Sequence, residues 1–129
     1  MSDIPAELRF TRSHEWVRQL PDGSSEIGIS DHAQRALGDL VFVELPEVGR
    51  SLSVGEACAV VESVKAASDV YAPIAGTVVA INDQLRQTPE LINREPYAGG
   101  WLLRLRPEVP GEGSGLLSAT DYRVFEAQG

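Results

Sequence analysis

Lysine is nearly absent from this chain. Arg9, Arg12, Arg18, Arg35, Arg50, Arg86, Arg94, Arg104, Arg106 and Arg123 supply the other basic side chains, and Lys65 is the sole lysine. Cysteine is equally scarce. Cys58 stands alone, which excludes an intramolecular disulfide and leaves no second thiol for a metal or redox pair, so redox chemistry requires an added cofactor. His14 and His32 lack any Cys or carboxylate spacing that would make a zinc site, and no metal is expected. No apolar run approaches the roughly 20 residues that span a bilayer, so no membrane is expected. Met1 to Phe10 holds acidic residues and Pro5 in place of the basic start and apolar stretch of a signal peptide, which gives the cytoplasm as the expected location. Excess positive charge is missing too. A formal net charge of −8 argues against nucleic acid, because nothing would drive counterion release, and favours protein partners with basic surfaces. There is no tandem repeat and no low-complexity segment, which excludes solenoids. The length, 129 residues, suits one domain over 1–129.

What is present reads as many short strands. Ser13 to Gln19 and Ser25 to Ile29 are rich in β-formers and are separated by Pro21-Asp22-Gly23-Ser24, a hairpin turn signal. Ser30 can cap a short helix through Leu37, with Asp31 in its first turn and Gly38 beyond its end. Leu40 to Leu45 alternates, and Pro46 with Gly49 closes it. Ala57 to Val61, Ser68 to Tyr71, Gly76 to Ile81 and Trp101 to Arg106 supply four more strands. This spacing predicts a sandwich or barrel. The glycines at 111, 113 and 115 predict a loop, and Ser118 opens a terminal helix over about 118–127 with Leu117, Tyr122 and Phe125 on its apolar side.

Arginine and lysine serve almost equally as surface charges, but only lysine offers a primary amine that can be acylated. The count alone is also what a general bias toward arginine would leave. Position separates the two readings. Glu62-Ser63-Val64-Lys65-Ala66-Ala67-Ser68-Asp69 joins the strand ending at Val61 to the strand ending in Tyr71-Ala72-Pro73. Lys65 therefore falls at a hairpin turn, small neighbours at Ser63, Ala66, Ala67 and Ser68 leave its amine accessible, and Glu62 and Asp69 stand at the shoulders. A loop tip held by two strands is where a rigid scaffold presents a moving group.

The segment Glu62-Ser63-Val64-Lys65-Ala66, followed by Ser68-Asp69 and Tyr71-Ala72-Pro73, resembles the lipoyl-attachment segment of the glycine cleavage system H proteins. Ser13-His14-Glu15-Trp16, Gly28-Ile29 with Asp31-His32-Ala33-Gln34, Leu37-Gly38-Asp39 running into Val41 to Pro46, and Asn93 through Pro96-Tyr97 to Gly99-Gly100-Trp101 extend the likeness in order along the chain. The resemblance implies a mainly β, barrel-sandwich hybrid of the biotinyl and lipoyl carrier type. Its β core would run over about 25–106, with a short helix after Ser30 and a C-terminal helix as additions. It further implies a non-catalytic, monomeric carrier with lipoate amide-linked to Lys65 by a lipoyl ligase or an octanoyl transferase. Fully extended, that arm measures about 14 Å from the backbone, at ordinary bond lengths. In such a cycle a pyridoxal-phosphate glycine decarboxylase passes an aminomethyl group to the arm, a tetrahydrofolate-dependent aminomethyltransferase takes it, and an FAD-dependent dihydrolipoyl dehydrogenase closes the disulfide. The loaded arm folds into a cleft on the carrier, and Ser13, Glu15 and Asp69, with His32 as a weaker candidate, match the cleft-facing positions. A carboxylate there holds the protonated amine by a charge-assisted hydrogen bond. The resemblance also leaves room for a scaffold on which lipoate is assembled before relay to other proteins.

The remaining features have plainer readings. Cys58 is a small hydrophobe in an apolar strand. Trp16 and Trp101 are packing residues of core or rim, and Gly99-Gly100 is a turn, lacking the helix and lysine of a phosphate loop. A biotin carrier would place Met on both sides of the lysine, where Val64 and Ala66 stand, and a 2-oxo acid dehydrogenase domain would carry Asp-Lys-Ala. An enzyme would need a convergent acid, base or nucleophile, and the sequence presents no such set. The stretch 110–115 is richer in glycine than the acidic helical lead-in typical of the family.

Overall fold

The computed structural model describes residues 5–108 and 116–128; the glycine-rich stretch 110–115 lies outside them. The hairpin at the start of the chain forms as its turn chemistry dictates. β2 (Glu15–Gln19) and β3 (Ser25–Ile29) pair antiparallel, with Trp16 opposite Gly28. In the turn Asp22 Oδ1 accepts from Ser24 N–H at 2.9 Å and from Ser24 Oγ at 2.6 Å, and Gly23 takes φ +90. Ser30 caps α1 (Asp31–Leu37) by accepting from Ala33 N–H at 3.2 Å, and Gly38 ends it at φ +86.

After that corner come β4 (Leu40–Glu44), β6 (Ala57–Ser63) and β7 (Ala67–Tyr71), which form a three-stranded sheet in the order β4-β6-β7. A bulge between Leu40 and Phe42 twists the start of β4. β1 (Arg9–Phe10), β5 (Ser51–Leu52), β8 (Gly76–Ile81), β9 (Leu103–Pro107) and β10 (Leu117–Ser118) join the hairpin in a seven-stranded sheet ordered β10-β1-β2-β3-β9-β8-β5. Two four-residue helices, α2 (Gln84–Gln87) and α3 (Leu91–Arg94), lie between β8 and β9, and α4 (Ala119–Gln128) ends the described chain. The expected strands and both expected helices are present. The large sheet also takes in β1, β2 and β10, which flank the span 25–106, and strand ends shift by a residue or two.

The inward faces of the two sheets make one core, with Val17, Ile27, Val43, Val61, Val70 and Leu105 among its fully buried members. A second cluster packs Leu8, Phe10, Trp16 and Tyr122 beneath α4, where the Phe10 and Tyr122 rings stack with centroids 4.1 Å apart. One buried carboxylate crosses the large sheet: Glu26 accepts from Arg104 at 2.9 Å and from Arg18 at 3.1 Å, so its charge is paired on both oxygens.

Trp16 has no exposed surface, and its Nε1 donates to the carbonyls of Ile29 and Pro96 at 3.0 and 2.9 Å. That ring lies across Gly28, where a Cβ would stand 2.5 Å from Trp16 Cζ2. Gly28→Ala is therefore expected to force the indole off its two acceptors and destabilise the fold by about 1–3 kcal/mol. Thermal unfolding followed by near-UV circular dichroism checks it, and an unchanged melting temperature would refute this account of the glycine.

Candidate functional site

β6 and β7 are joined by Val64, Lys65 and Ala66 alone. So short a turn exposes amides that strand pairing cannot satisfy, and the chain satisfies them with one hydroxyl and one distant carbonyl. Ser63 N–H donates to the Ala66 carbonyl at 2.7 Å. Ser63 Oγ accepts from Lys65 N–H at 3.2 Å and Ala66 N–H at 3.1 Å while donating to the Ala66 carbonyl at 3.1 Å. Val64 N–H donates to the Asp39 carbonyl at 3.2 Å, tying the tip to the corner between α1 and β4. Every amide from Ser63 to Ala66 thus has an acceptor although the tip itself is exposed.

The Lys65 side chain leaves this tip over Gly38. A Cβ on Gly38 would stand 3.9 Å from Lys65 Cε, so the stem runs along the corner without obstruction. None of the ion pairs among the described residues uses Lys65. The amine is accessible and uncommitted, the condition an acylating enzyme requires.

The four expected cleft residues fall into three places. Ser13 and Glu15 belong together: Ser13 Oγ donates to Glu15 Oε1 at 2.5 Å and Thr11 Oγ1 to the same oxygen at 2.6 Å. Glu15 is only 2 % exposed, and its Oε2 accepts from Tyr71 N–H at 3.1 Å, which fastens β2 to the end of β7. Asp69 is exposed on β7, opposite Val60 and two residues before Tyr71. His32 stacks on His14 with centroids 4.4 Å apart, and its Nδ1 lies 3.8 Å from Glu126 of α4. Among the described residues no hydrogen bond joins any of the four to Lys65.

Cys58 is buried on β6 with its Sγ 3.3 Å from the Val70 carbonyl, and burial pushes the thiol pKa up to about 12. It stays protonated and unreactive. The described residues contain no group of three or more His, Cys, Asp or Glu side chains placed to hold a metal ion. Among the described residues no helix is long and apolar enough to cross a membrane.

A family model, Glycine cleavage H-protein, matches residues 8–128. The chain belongs to that family. The glycine cleavage system H protein of Escherichia coli O45:K1 (strain S88 / ExPEC) is 56% identical over 125 residues, covering 97% of each chain. That of Escherichia coli strain K12 / DH10B is 55% identical over the same length. A crystal structure of a glycine cleavage system H protein from Mycobacterium marinum superposes with a TM-score of 0.88 at 42% identity, over 96% of this chain and 99% of that one. The two sheets are thus the barrel-sandwich hybrid expected from the sequence, and the H protein to which this chain corresponds is the lipoyl carrier of the glycine cleavage system.

Sequence reasoning placed Lys65 at the hairpin turn and missed what holds that turn. The Ser63 hydroxyl was legible in principle, since a serine two residues before a tight-turn position commonly bonds the following amides. The grip of α4 on the Ser13–Glu15 loop was not. His14 takes φ +75, rare outside glycine, and is held there by its neighbours. Its carbonyl accepts from Ser30 N–H at 2.9 Å, and its Nδ1 shares a proton with Tyr122 Oη at 2.6 Å, which in turn sits 2.7 Å from Ser30 Oγ.

Burial, and then the adjacent His32, hold the His14 pKa below its ordinary 6.5. The unfolded chain therefore takes up this proton at higher pH than the folded one. The contribution of His14 to stability is complete above 6.5 and is lost as pH falls through the depressed folded value. His14→Asn, which tolerates the positive φ, is expected to flatten the fall in melting temperature between about pH 7.5 and pH 5 relative to the wild type. Parallel pH–melting curves for the two proteins would show that His14 is not the titrating group.

Proposed function

We propose that Lys65 is the lipoylated residue, joined to lipoate as an amide by a lipoyl ligase or an octanoyl transferase, and that the chain is a non-catalytic, single-domain, monomeric carrier of the cytoplasm. The observation that carries the reading is the amine itself. It is the sole lysine amine, it stands exposed at the apex of a turn whose amides are all satisfied, and its stem is clear of ion pairs. Acylation removes the charge of Lys65 and leaves the turn, whose hydrogen bonds involve only main chain and Ser63, unaltered.

The bound dithiolane supplies the redox and group-carrying chemistry that Cys58 cannot. The proposed stations are the pyridoxal-phosphate glycine decarboxylase, the tetrahydrofolate-dependent aminomethyltransferase and the FAD-dependent dihydrolipoyl dehydrogenase. The protein's part is to keep one anchor point fixed while the attached arm reaches each in turn. An arm of about 14 Å tethered to a rigid turn gives a local concentration in roughly the millimolar range, so cargo need not be released and recaptured.

Between stations the chain's own polar groups shelter the cargo. Asp69 is four residues from Lys65, a separation of at most about 14 Å even for extended chain, and so within the arm's length. His32 lies about 9 Å along α1 from Gly38, beside which the Lys65 stem passes, with Cε 3.9 Å from where a Gly38 Cβ would stand. Glu15 is bonded to the amide of Tyr71, at the end of β7 away from the Lys65 turn. Its buried carboxylate accepts from Thr11 and Ser13 on Oε1 and from the Tyr71 amide alone on Oε2, so a cationic amine would take the remaining acceptor site of Oε2 or displace one of the two hydroxyls.

Intact-mass measurement after incubation with lipoate, ATP and a lipoyl ligase tests the attachment. One lipoyl increment is expected on the wild type and none on Lys65→Arg, which preserves charge and removes the acylable amine. Modification of the variant, or none of the wild type, would overturn the reading. For the cleft, Glu15→Gln is expected to shorten the lifetime of the aminomethyl-loaded form by about tenfold, the worth of one charge-assisted hydrogen bond. A lifetime equal to that of the wild type removes Glu15 from the site.

A further inference from the structure

We infer that Asn93, far from Lys65 in the chain, is the positioning residue that sets where the lysine stands; this rests on the proposed attachment at Lys65. Among the described residues the main chain of the β6–β7 tip has one hydrogen bond to the rest of the molecule outside its own hairpin, from Val64 N–H to the Asp39 carbonyl at 3.2 Å. That carbonyl and the Leu40 N–H are the two ends of one planar peptide unit, so whatever fixes the second aims the first. Leu40 N–H donates to Asn93 Oδ1 at 2.9 Å. The other end of the same side chain, Nδ2, donates to the Gly38 carbonyl at 3.0 Å and to Gln34 Oε1 at 2.8 Å.

Only one orientation of the Asn93 amide satisfies all three partners, because one is a donor and two are acceptors. Two consecutive peptide units, Gly38–Asp39 and Asp39–Leu40, are thereby clamped on α3. The clamp sits where the Lys65 stem passes Gly38 and where the bulge of β4 leaves the strand pairing irregular. With the clamp intact, the Asp39 carbonyl points at Val64 and the lysine is presented in one place. Without it, the tip keeps its internal Ser63 bonds but loses its bearing relative to the body of the carrier.

Asn93→Asp isolates this effect. The substitution keeps the size and the acceptor facing Leu40, and it replaces both donors by an oxygen opposed to two acceptors. Expected in the folded chain is hydrogen exchange at the Val64 amide about tenfold faster than in the wild type, with Val60 and Val61 of the preceding strand β6 unchanged. In lipoylation by a lipoyl ligase with lipoate and ATP, KM for the carrier is expected to rise about fivefold with kcat within about twofold, because an unaligned amine weakens productive docking rather than the bond-forming step. Gln34→Ala, which leaves the Leu40 and Gly38 bonds in place, is the control for general loosening and is expected to change neither reading.

Unchanged Val64 exchange and unchanged KM in Asn93→Asp would overturn the inference, as would equal changes in Gln34→Ala. A Val64 amide exchanging at the free-peptide rate in the wild type would overturn it even were Asn93→Asp unable to fold. A wild-type chain left bare at Lys65 refutes the attachment on which the inference rests; the exchange measurement needs no ligase and distinguishes that outcome from a failure of Asn93.

Discussion

A turn of three residues at the edge of a sheet leaves main-chain groups that no ladder can pair, and this carrier meets the constraint with a single hydroxyl. Ser63 Oγ takes two amides and gives its own proton to a carbonyl, while the fourth amide of the tip is sent outward to Asp39. Were those groups left to water, the tip would sample many conformations and the anchor of the arm would move with them. Satisfied internally, the turn is stiff although it is exposed, and the motion that a carrier needs is confined to the side chain and what is joined to it. Rigidity of the base is what converts a tether's length into a defined sphere of action.

The rest of the fold serves that base at increasing distance. β4 and β7 flank β6 and hold the hairpin flat against the core through Val43, Val61 and Val70. The α1–β4 corner braces the tip from one side, and Glu15 pins Tyr71 at the other end of β7 through its backbone amide. Glu15 is in turn framed by His14 at positive φ, which Tyr122 of α4 secures. The C-terminal helix is therefore coupled to the carrier hairpin through a chain of four residues, Tyr122 to His14, the adjoining Glu15, then Tyr71.

Local sequence signals sufficed wherever structure is decided locally. The Asp22-Gly23 turn and the Ser30 cap each encode their element within a few residues and formed as read, whereas the strand expected over Leu40 to Leu45 formed without its alternation, because the bulge between Leu40 and Phe42 buries Leu40 and Val43 and leaves Val41 and Phe42 both exposed. The two-residue strands β1, β5 and β10 carry no periodicity to detect, since two residues cannot alternate, and they exist only because a neighbouring strand offers its edge. The burial of Glu15 was illegible for a related reason. β2 buries Glu15, Trp16 and Val17 in succession because β1 and β3 flank it and the Thr11–Ser13 loop folds over the carboxylate. Asn93 shows the limit most clearly. Its value lies in three partners, Gln34 on α1, Gly38 at the corner and Leu40 on β4, and nothing in Leu91 to Arg94 announces them.

The scarcity of lysine acquires a physical reason once the arginines are placed. Arg104 grips Glu26 through Nε and Nη2 while lying 4.3 Å over the Trp101 ring, and Arg18 spans Glu7 and Glu26 while covering Trp16 at 5.1 Å. Arg12 lies over Phe125, and Arg35, Arg50 and Arg86 pair with Asp31, Glu56 and Asp83. Forked hydrogen bonding and stacking on aromatic faces are work for a planar guanidinium, and an ammonium group in those places would do it poorly. The guanidinium also stays protonated and resists acylation. The cations that hold the large sheet and helices together are thus chemically silent toward an acylating enzyme. An enzyme that surveys this surface for a lysine amine meets only the one that the Ser63 turn holds out. The selectivity proposed for Lys65 would in this way be shared between the geometry of the turn and the choice of arginine everywhere else.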